Sequence, residues 1–246
     1  MKHHVVLVRS FVVAGALALA LAGCVEASQE AVAYDAVAVS RDASKDTSSG
    51  WIVTLSRADV ALGPFYFCAA ASGSSTLCAS SIAEVAGVTV VNALAPAPSP
   101  LGRVHGFSGN VQSVSYDFGI SWFDTQTAAT PAPSLPGGHS MRLEGEARKG
   151  AMLVSFTADV DVVPQYQGQN ALSTASAIAS VESSATRLEV ILHPAGWLRQ
   201  LDFDAIAATG KVPFAIRPGS AEHGAILVGI KNLSPLEFRW TPTSAP

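Results

Sequence analysis

Val114-Ser115-Tyr116-Asp117-Phe118-Gly119-Ile120-Ser121-Trp122 alternates without a break between bulky apolar residues and small or polar ones. A period of two sustained this long marks an extended strand with one face on a core, because successive side chains point to opposite sides. On this reading Val114, Tyr116, Phe118, Ile120 and Trp122 face inward, while Ser115, Asp117, Gly119 and Ser121 face solvent. Met152, Val154, Phe156, Ala158, Val160 and Val162 repeat the pattern against Ser155, Thr157, Asp159 and Asp161. Upstream, Met141, Leu143, Gly145 and Ala147 alternate too, and Arg148-Lys149-Gly150 between the two runs predicts a hairpin.

Working outward, Trp51, Val53 and Leu55 share a face, and Phe65 to Cys68 follow the turn signal Gly63-Pro64. Leu188, Val190 and Leu192 read as a strand, as do Ile226, Val228 and Ile230, and Leu236, Phe238 and Trp240. Val32, Tyr34 and Ala36 predict a first strand near 32–37. Ala95 to Pro100 and Thr130 to Gly138 are Pro-rich and read as loops, since proline cannot serve in a central strand. Pro194 to Ala208, with Trp197, Leu198, Leu201, Ile206 and a closing Gly210, reads as helical, and Ala171 to Val181 fits helix or strand equally. Many short strands without strand–helix alternation predict an all-β fold, an antiparallel β-sandwich with one short helical insertion. No internal repeat is visible, which argues against a propeller.

The N-terminus carries a different signal. Lys2 and Arg9 precede an uncharged run from Phe11 to Ala22, and Leu21-Ala22-Gly23-Cys24 closes it with small residues before a cysteine. A spanning helix needs about 20 apolar residues, so the run is short for one. In Leu21 to Cys24 the segment resembles the lipobox of bacterial lipoprotein signal peptides. The resemblance implies removal of residues 1–23 and lipidation of Cys24 through its thiol, with acylation of the new amino group, giving several chains where one would bind only marginally. Val25 in place of Asp implies the outer membrane in an organism with two membranes. The expected organisation is therefore a signal peptide at 1–23, a lipidated N-terminus and tether at 24–50, a single β-sandwich at 51–241 and a tail at 242–246.

Composition narrows the partners. The chain has a net charge of −4, and loss of Lys2 and Arg9 makes the remainder more acidic still. That argues against a nucleic-acid surface, which needs a basic stripe. Hydrophobic residues make up 49% and charged ones 14%, ample material for a core. Cys68 and Cys78 are then left as a close pair, and in an oxidising envelope a disulfide between them is expected. They lack the neighbouring His or second Cys pair of a zinc site.

No nucleophile elbow, His-Glu-x-x-His helix, phosphate-cradling glycine loop or dinucleotide fingerprint is present; Gly106-Phe107-Ser108-Gly109 lacks the elbow spacing. Candidate metal ligands are His105, His139, Met141, His193 and His223, with Asp202 or Glu222 as added carboxylates. Envelope copper and zinc sites draw on imidazole, thioether and carboxylate ligands. In a strand His139 and Met141 would share a face. The competing reading leaves each histidine at a loop or strand end, solvated or bonded to backbone. Asp159 and Asp161 share a strand face, with Asp117 a candidate neighbour. Paired carboxylates can bind calcium or act as acid and base on glycosides, or can simply be the wet side of a strand. Asp202 and Asp204 read as helix-start carboxylates. Trp51 and Trp122 are in phase with core residues and expected to be buried. Tyr166, among Gln165, Gln167, Gln169 and Asn170, is a candidate ligand or sugar contact. The functional expectation is a lipid-anchored envelope binding or accessory protein rather than an enzyme. It needs no cofactor beyond a candidate metal ion, and its partners are the membrane and an envelope protein or small ligand. Metal handling and hydrolysis of carbohydrate or peptidoglycan are the alternatives.

Overall fold

The Met141–Val162 alternation folds as the hairpin its pattern demands. The structure, a computed structural model, describes residues 29–70, 81–174, 179–181 and 184–242. Its first strands are β1 (Ala31–Ser40), β2 (Ser44–Asp46), β3 (Ile52–Leu62), β4 (Phe65–Cys68), β5 (Ala83–Val85) and β6 (Thr89–Asn92). They continue as β7 (Ser99–Phe107), β8 (Gly109–Val111), β9 (Ser113–Tyr116), β10 (Ile120–Ser121), β11 (Thr130–Pro131) and β12 (Met141–Lys149). The rest are β13 (Met152–Val160), β14 (Leu172–Thr174), β15 (Ala179–Val181), β16 (Ala185–Leu192), β17 (Phe214–Ile216) and β18 (Glu237–Pro242). Two short helices, α1 (Phe203–Ala208) and α2 (Ala221–Val228), lie between β16 and β18.

Two large sheets form the layers. One runs β14-β9-β4-β5-β7-β1-β16-β18; the other runs β17-β13-β12-β3-β2, with β6 also paired to β3. Val32, Tyr34, Ala36, Leu188 and Val190 from the first sheet and Val53, Val60, Leu143, Phe156 and Ala158 from the second belong to one apolar cluster. The fold is an all-β sandwich. Burying each large apolar side chain there contributes about 1.5–3 kcal/mol relative to leaving it exposed. Most ladders are antiparallel, but β1 pairs with β16 and β13 with β17 in parallel.

The hairpin turns at Gly150, φ 59°, which supplies the left-handed backbone a two-residue connection needs. Arg142, Glu144, Asp159, Arg57 and Asp59 alternate outward from the core. They form a charged ladder in which Arg57 contacts Asp59 at 2.7 Å and Glu144 at 2.9 Å. Asp202 Oδ1 accepts from Ala205 N at 3.0 Å and so caps α1, as its position suggested. Asp204 accepts from Trp51 Nε1 and Lys149 Nζ, at 3.2 and 3.1 Å, which docks α1 on the sheet.

Several expectations need correction. The 114–122 run is not one half-wet strand: it breaks at Asp117–Gly119, Gly119 sits at φ 76°, and Ser113, Ser115, Asp117 and Ser121 are buried. Alternation records which residues share a face but not whether the second face is covered. Here Ala70 O, Ser173 and Asn170 supply partners for the covered polar side. Trp51 is fully buried, whereas Trp122 is half-buried, its indole N–H donating to Gln126 O at 3.2 Å. Met152 lies at the hairpin tip and is exposed.

Ile226, Val228 and Ile230 do not form a strand. Ser220 Oγ accepts from His223 N and starts α2, which runs into a single π turn at Gly229–Leu233. Ile226 and Ile230, four apart, are buried together while Val228 between them is exposed, a helical rather than an extended spacing. The helical reading of Pro194–Ala208 resolves into a 3-10 turn at Pro194–Leu198 followed by α1. Pro100 and Pro131 are strand residues after all: Pro100 pairs with Val37 beside a bulge in β7 at Leu101, and Pro131 ends a two-residue ladder. The strand expected near 32–37 is β1, an interior strand that runs to Ser40, and within the polar stretch after it β2 pairs with β3. Ala171–Val181 contributes two short strands, β14 and β15.

Candidate functional site

The open end of the β12–β13 hairpin gathers polar groups that are far apart in sequence. Ser140 is fully buried, and its Oγ accepts from Val162 N at 3.1 Å, which fixes the two chain ends in register. His139 and Asp161 then meet: Nδ1 lies 2.9 Å from Asp161 Oδ1. Cross-strand pairing sets Arg142 opposite Asp159, and its Nε donates to Asp159 Oδ1 at 3.1 Å. His139 Nε2 faces the other oxygen of Asp159, Oδ2, at 4.0 Å.

His223 on α2 holds this end from behind. Its Nε2 accepts from Asp161 N at 3.2 Å. A neutral imidazole has one bare nitrogen, so Nδ1 carries the proton, and the 3.4 Å approach of Gly219 N to Nδ1 is packing rather than a second bond. Burial pushes the His223 pKa below the ordinary imidazole value despite the opposing pull of Asp161, which keeps the accepting form in place.

Parallel pairing of β13 with β17 places Thr157 beside Ala215. There an open cleft of about 450 Å³ is lined by His139, Thr157, Asp159, Ala215, Arg217 and Pro218, together with Ile216. With Nδ1 donating to Asp161, His139 presents a bare Nε2 toward Asp159. That nitrogen can accept a proton or a hydrogen bond, or coordinate a cation. Arg217 and Asp159 give the cleft both signs of charge.

A second histidine–carboxylate cluster lies at the end of β16. His193 Nδ1 is 2.9 Å from Asp42 Oδ2, and its Nε2 is 3.2 Å from Glu237 Oε1. Asp42 holds a left-handed backbone, φ 51°, and the hydrogen bond from His193 keeps its carboxyl below the usual range. A groove of about 260 Å³ opens beside it.

The five candidate ligands do not converge. His139 and His223 meet through Asp161, and His193 belongs to the second cluster. Met141 does not share a face with His139: it is fully buried in the sandwich, whereas His139 lies outside β12 and borders the cleft. His105 stands exposed on β7, opposite Ala33 and Glu84. Among the described residues no group of three or more His, Cys, Asp or Glu is arranged to hold a metal ion. Asp117 is no neighbour of Asp159. It sits in the other sheet's β9–β10 connection, accepting from Ala171 N at 2.6 Å and from Ser121 and Asn170, and burial raises its pKa to about 6. Tyr166 is exposed on its loop, its hydroxyl accepting from Gln165 Nε2 at 3.0 Å. Cys68 is disulfide-bonded; Cys78 and Cys24 lie outside the described residues.

Sequence reasoning passed over Arg217, Asp42, Glu237 and Arg199. Each is a lone charged residue with no motif around it; the fold brings Asp42 and Glu237 to His193 and sets Arg199 and Arg217 on the walls of the two clefts.

No family model matches the chain, and no curated protein does. Among solved structures, MbnP from Methylosinus trichosporium is 11% identical over 70% of this chain and 78% of that one, with a TM-score of 0.32. A superposition that loose assigns neither fold nor function.

Proposed function

We propose that this chain is a lipid-anchored cell-envelope binding protein whose β-sandwich takes a small polar ligand in the cleft at His139, Asp159 and Arg217. The Leu21–Cys24 pattern supports the anchor. One observation carries the site: Asp161 holds His139 by Nδ1 so that Nε2 is left toward Asp159 at the cleft. Asp159 and Asp161 are each engaged by a donor, Arg142 and His139. Neither is therefore set up as the free acid of a glycoside-cleaving pair. Native mass spectrometry of the full chain, extracted from membranes in detergent without chelator, tests the reading. Expected is a co-purifying small ligand that Asp159→Asn and Arg217→Gln both lose. A ligand-free wild type, or a ligand retained by both variants, would overturn it.

Metal handling is the second reading, favoured by the same pair. An imidazole held through one nitrogen by a carboxylate is the usual second-sphere arrangement of a metal-binding histidine, and Asp159 stands as the second ligand. Titration with Zn(II), Cu(II) and Cu(I) should show one equivalent bound and none in His139→Ala. Absence of saturable binding removes this reading and leaves the first intact.

A further inference from the structure

The groove at the end of β1, β16 and β18 is lined by Asp42, Lys45, His193, Gly196, Arg199 and Glu237, with Leu233, Ser234 and Pro235 completing its wall. Its charges are unevenly used. Both carboxylates flank one imidazole, Asp42 at Nδ1 and Glu237 near Nε2. Arg199 Nε is buried with no hydrogen-bond partner among the described residues. His193 Nε2 is likewise buried, and its 3.2 Å approach to Glu237 Oε1 falls outside hydrogen-bonding geometry. Two buried side-chain polar atoms without a hydrogen-bond partner among the described residues thus belong to residues that line this one groove.

A buried guanidinium N–H with nothing to donate to costs about as much as a lost charge-assisted bond, and an acceptor entering the groove would recover it. Arginine's fork matches the paired oxygens of a carboxylate or phosphate. Lys45, exposed at the rim, adds a second positive charge, and Ser234 adds a hydroxyl. The wall is fixed: Trp197 Nε1 donates to Ser234 O at 2.9 Å, and any side chain at Gly196 would collide with the Ser234 hydroxyl.

We propose that this groove is an oxyanion-binding site, in which Arg199, Lys45 and Ser234 take the carboxylate or phosphate group of a small ligand while Asp42 is hydrogen-bonded to His193 and Glu237 stands beside the same imidazole. The site shares no lining residue with the His139 cleft and stands or falls independently of it.

The test is an NMR titration of the isotope-labelled full chain in detergent with acetate and with inorganic phosphate, at constant ionic strength set by chloride. Saturable shifts of the Arg199 Nε–H and His193 ring signals are expected with one or both anions; acetate alone assigns a carboxylate ligand, phosphate alone a phosphate ligand. Arg199→Gln should weaken binding about tenfold or more, the loss of one charge-assisted bond. Arg199→Lys should weaken it as well, because lysine keeps the charge but not the Nε donor. An unshifted Trp197 indole signal shows that the wall is intact in each variant. Absence of saturation with both anions, or saturation equal to wild type in Arg199→Lys, would overturn the proposal.

Discussion

The backbone N–H of Asp161 ends 3.2 Å from His223 Nε2, so one residue of α2 fixes the strand end whose side chain orients His139. The bond exists only while the imidazole is neutral. Since burial holds the His223 pKa below the ordinary value of 6.5, its stabilising contribution is complete above that pH. As pH falls below 6.5 the unfolded chain takes up the proton first, and this contribution is lost down to the depressed folded value. His223→Ala should therefore cost about 1–3 kcal/mol at pH 7.5, the penalty of a buried N–H without an acceptor. The cost should shrink at pH 5.5. Urea unfolding of both proteins at the two pH values measures it.

Asp117 has the opposite sign. Its folded pKa of about 6 lies above the ordinary 3.8, so between those values the folded chain holds a proton that the unfolded chain has released. Stability from this group rises as pH falls from 7 toward 4, by about 3 kcal/mol in all. Asp117→Asn, which keeps an oxygen for Ala171 N, should lack that rise. Measured against that variant, the wild type's melting temperature should rise steadily from pH 7 to 4.5; a constant difference would contradict the assignment.

Gly145 faces the register shift between β12 and β3, where an added Cβ would run into Thr54 O and crowd Leu55 and Phe156. Gly145→Ala should destabilise the fold by about 1–3 kcal/mol through overpacking. Gly138, with open space around its Cβ position but φ 86°, should lose less on the same change. Denaturant midpoints of the two variants rank them.

Cys24→Ser should abolish fatty-acid labelling and release the protein from membranes. Cys68→Ser and Cys78→Ser should each cost about 2–3 kcal/mol, as for a disulfide closing a short loop, and by equal amounts if the two are partners. Intact mass of the unreduced protein, two hydrogens below the reduced value, reads the bond directly.

The sandwich was legible where alternation met a turn signal, as in Met141–Val162, because a half-buried strand writes its two environments into successive residues. It was misleading at Val114–Trp122, where both faces are covered and buried Ser115 and Asp117 look the same on paper as wet ones. It fails at Ile226–Ile230, where residues two apart read as one strand face while the buried repeat is four. The pairing of His139 with Asp161 was hidden for another reason. The separation of 22 positions becomes 2.9 Å only through a hairpin register, and Arg217 reaches the same cleft only because β17 returns beside β13.

β1 lies between β7 and β16, antiparallel to one and parallel to the other, with Asp35 paired across to Arg187. A chain made from its N-terminus therefore presents this strand early and closes it only when β16 follows, about 145 residues later. Until β16 emerges, Val32, Tyr34, Ala36 and Ala38 border an edge with unmatched backbone groups, a template for pairing with a neighbouring copy. Its yield should therefore depend more on what shields that early strand while the rest of the chain is made than on the stability of the finished sandwich.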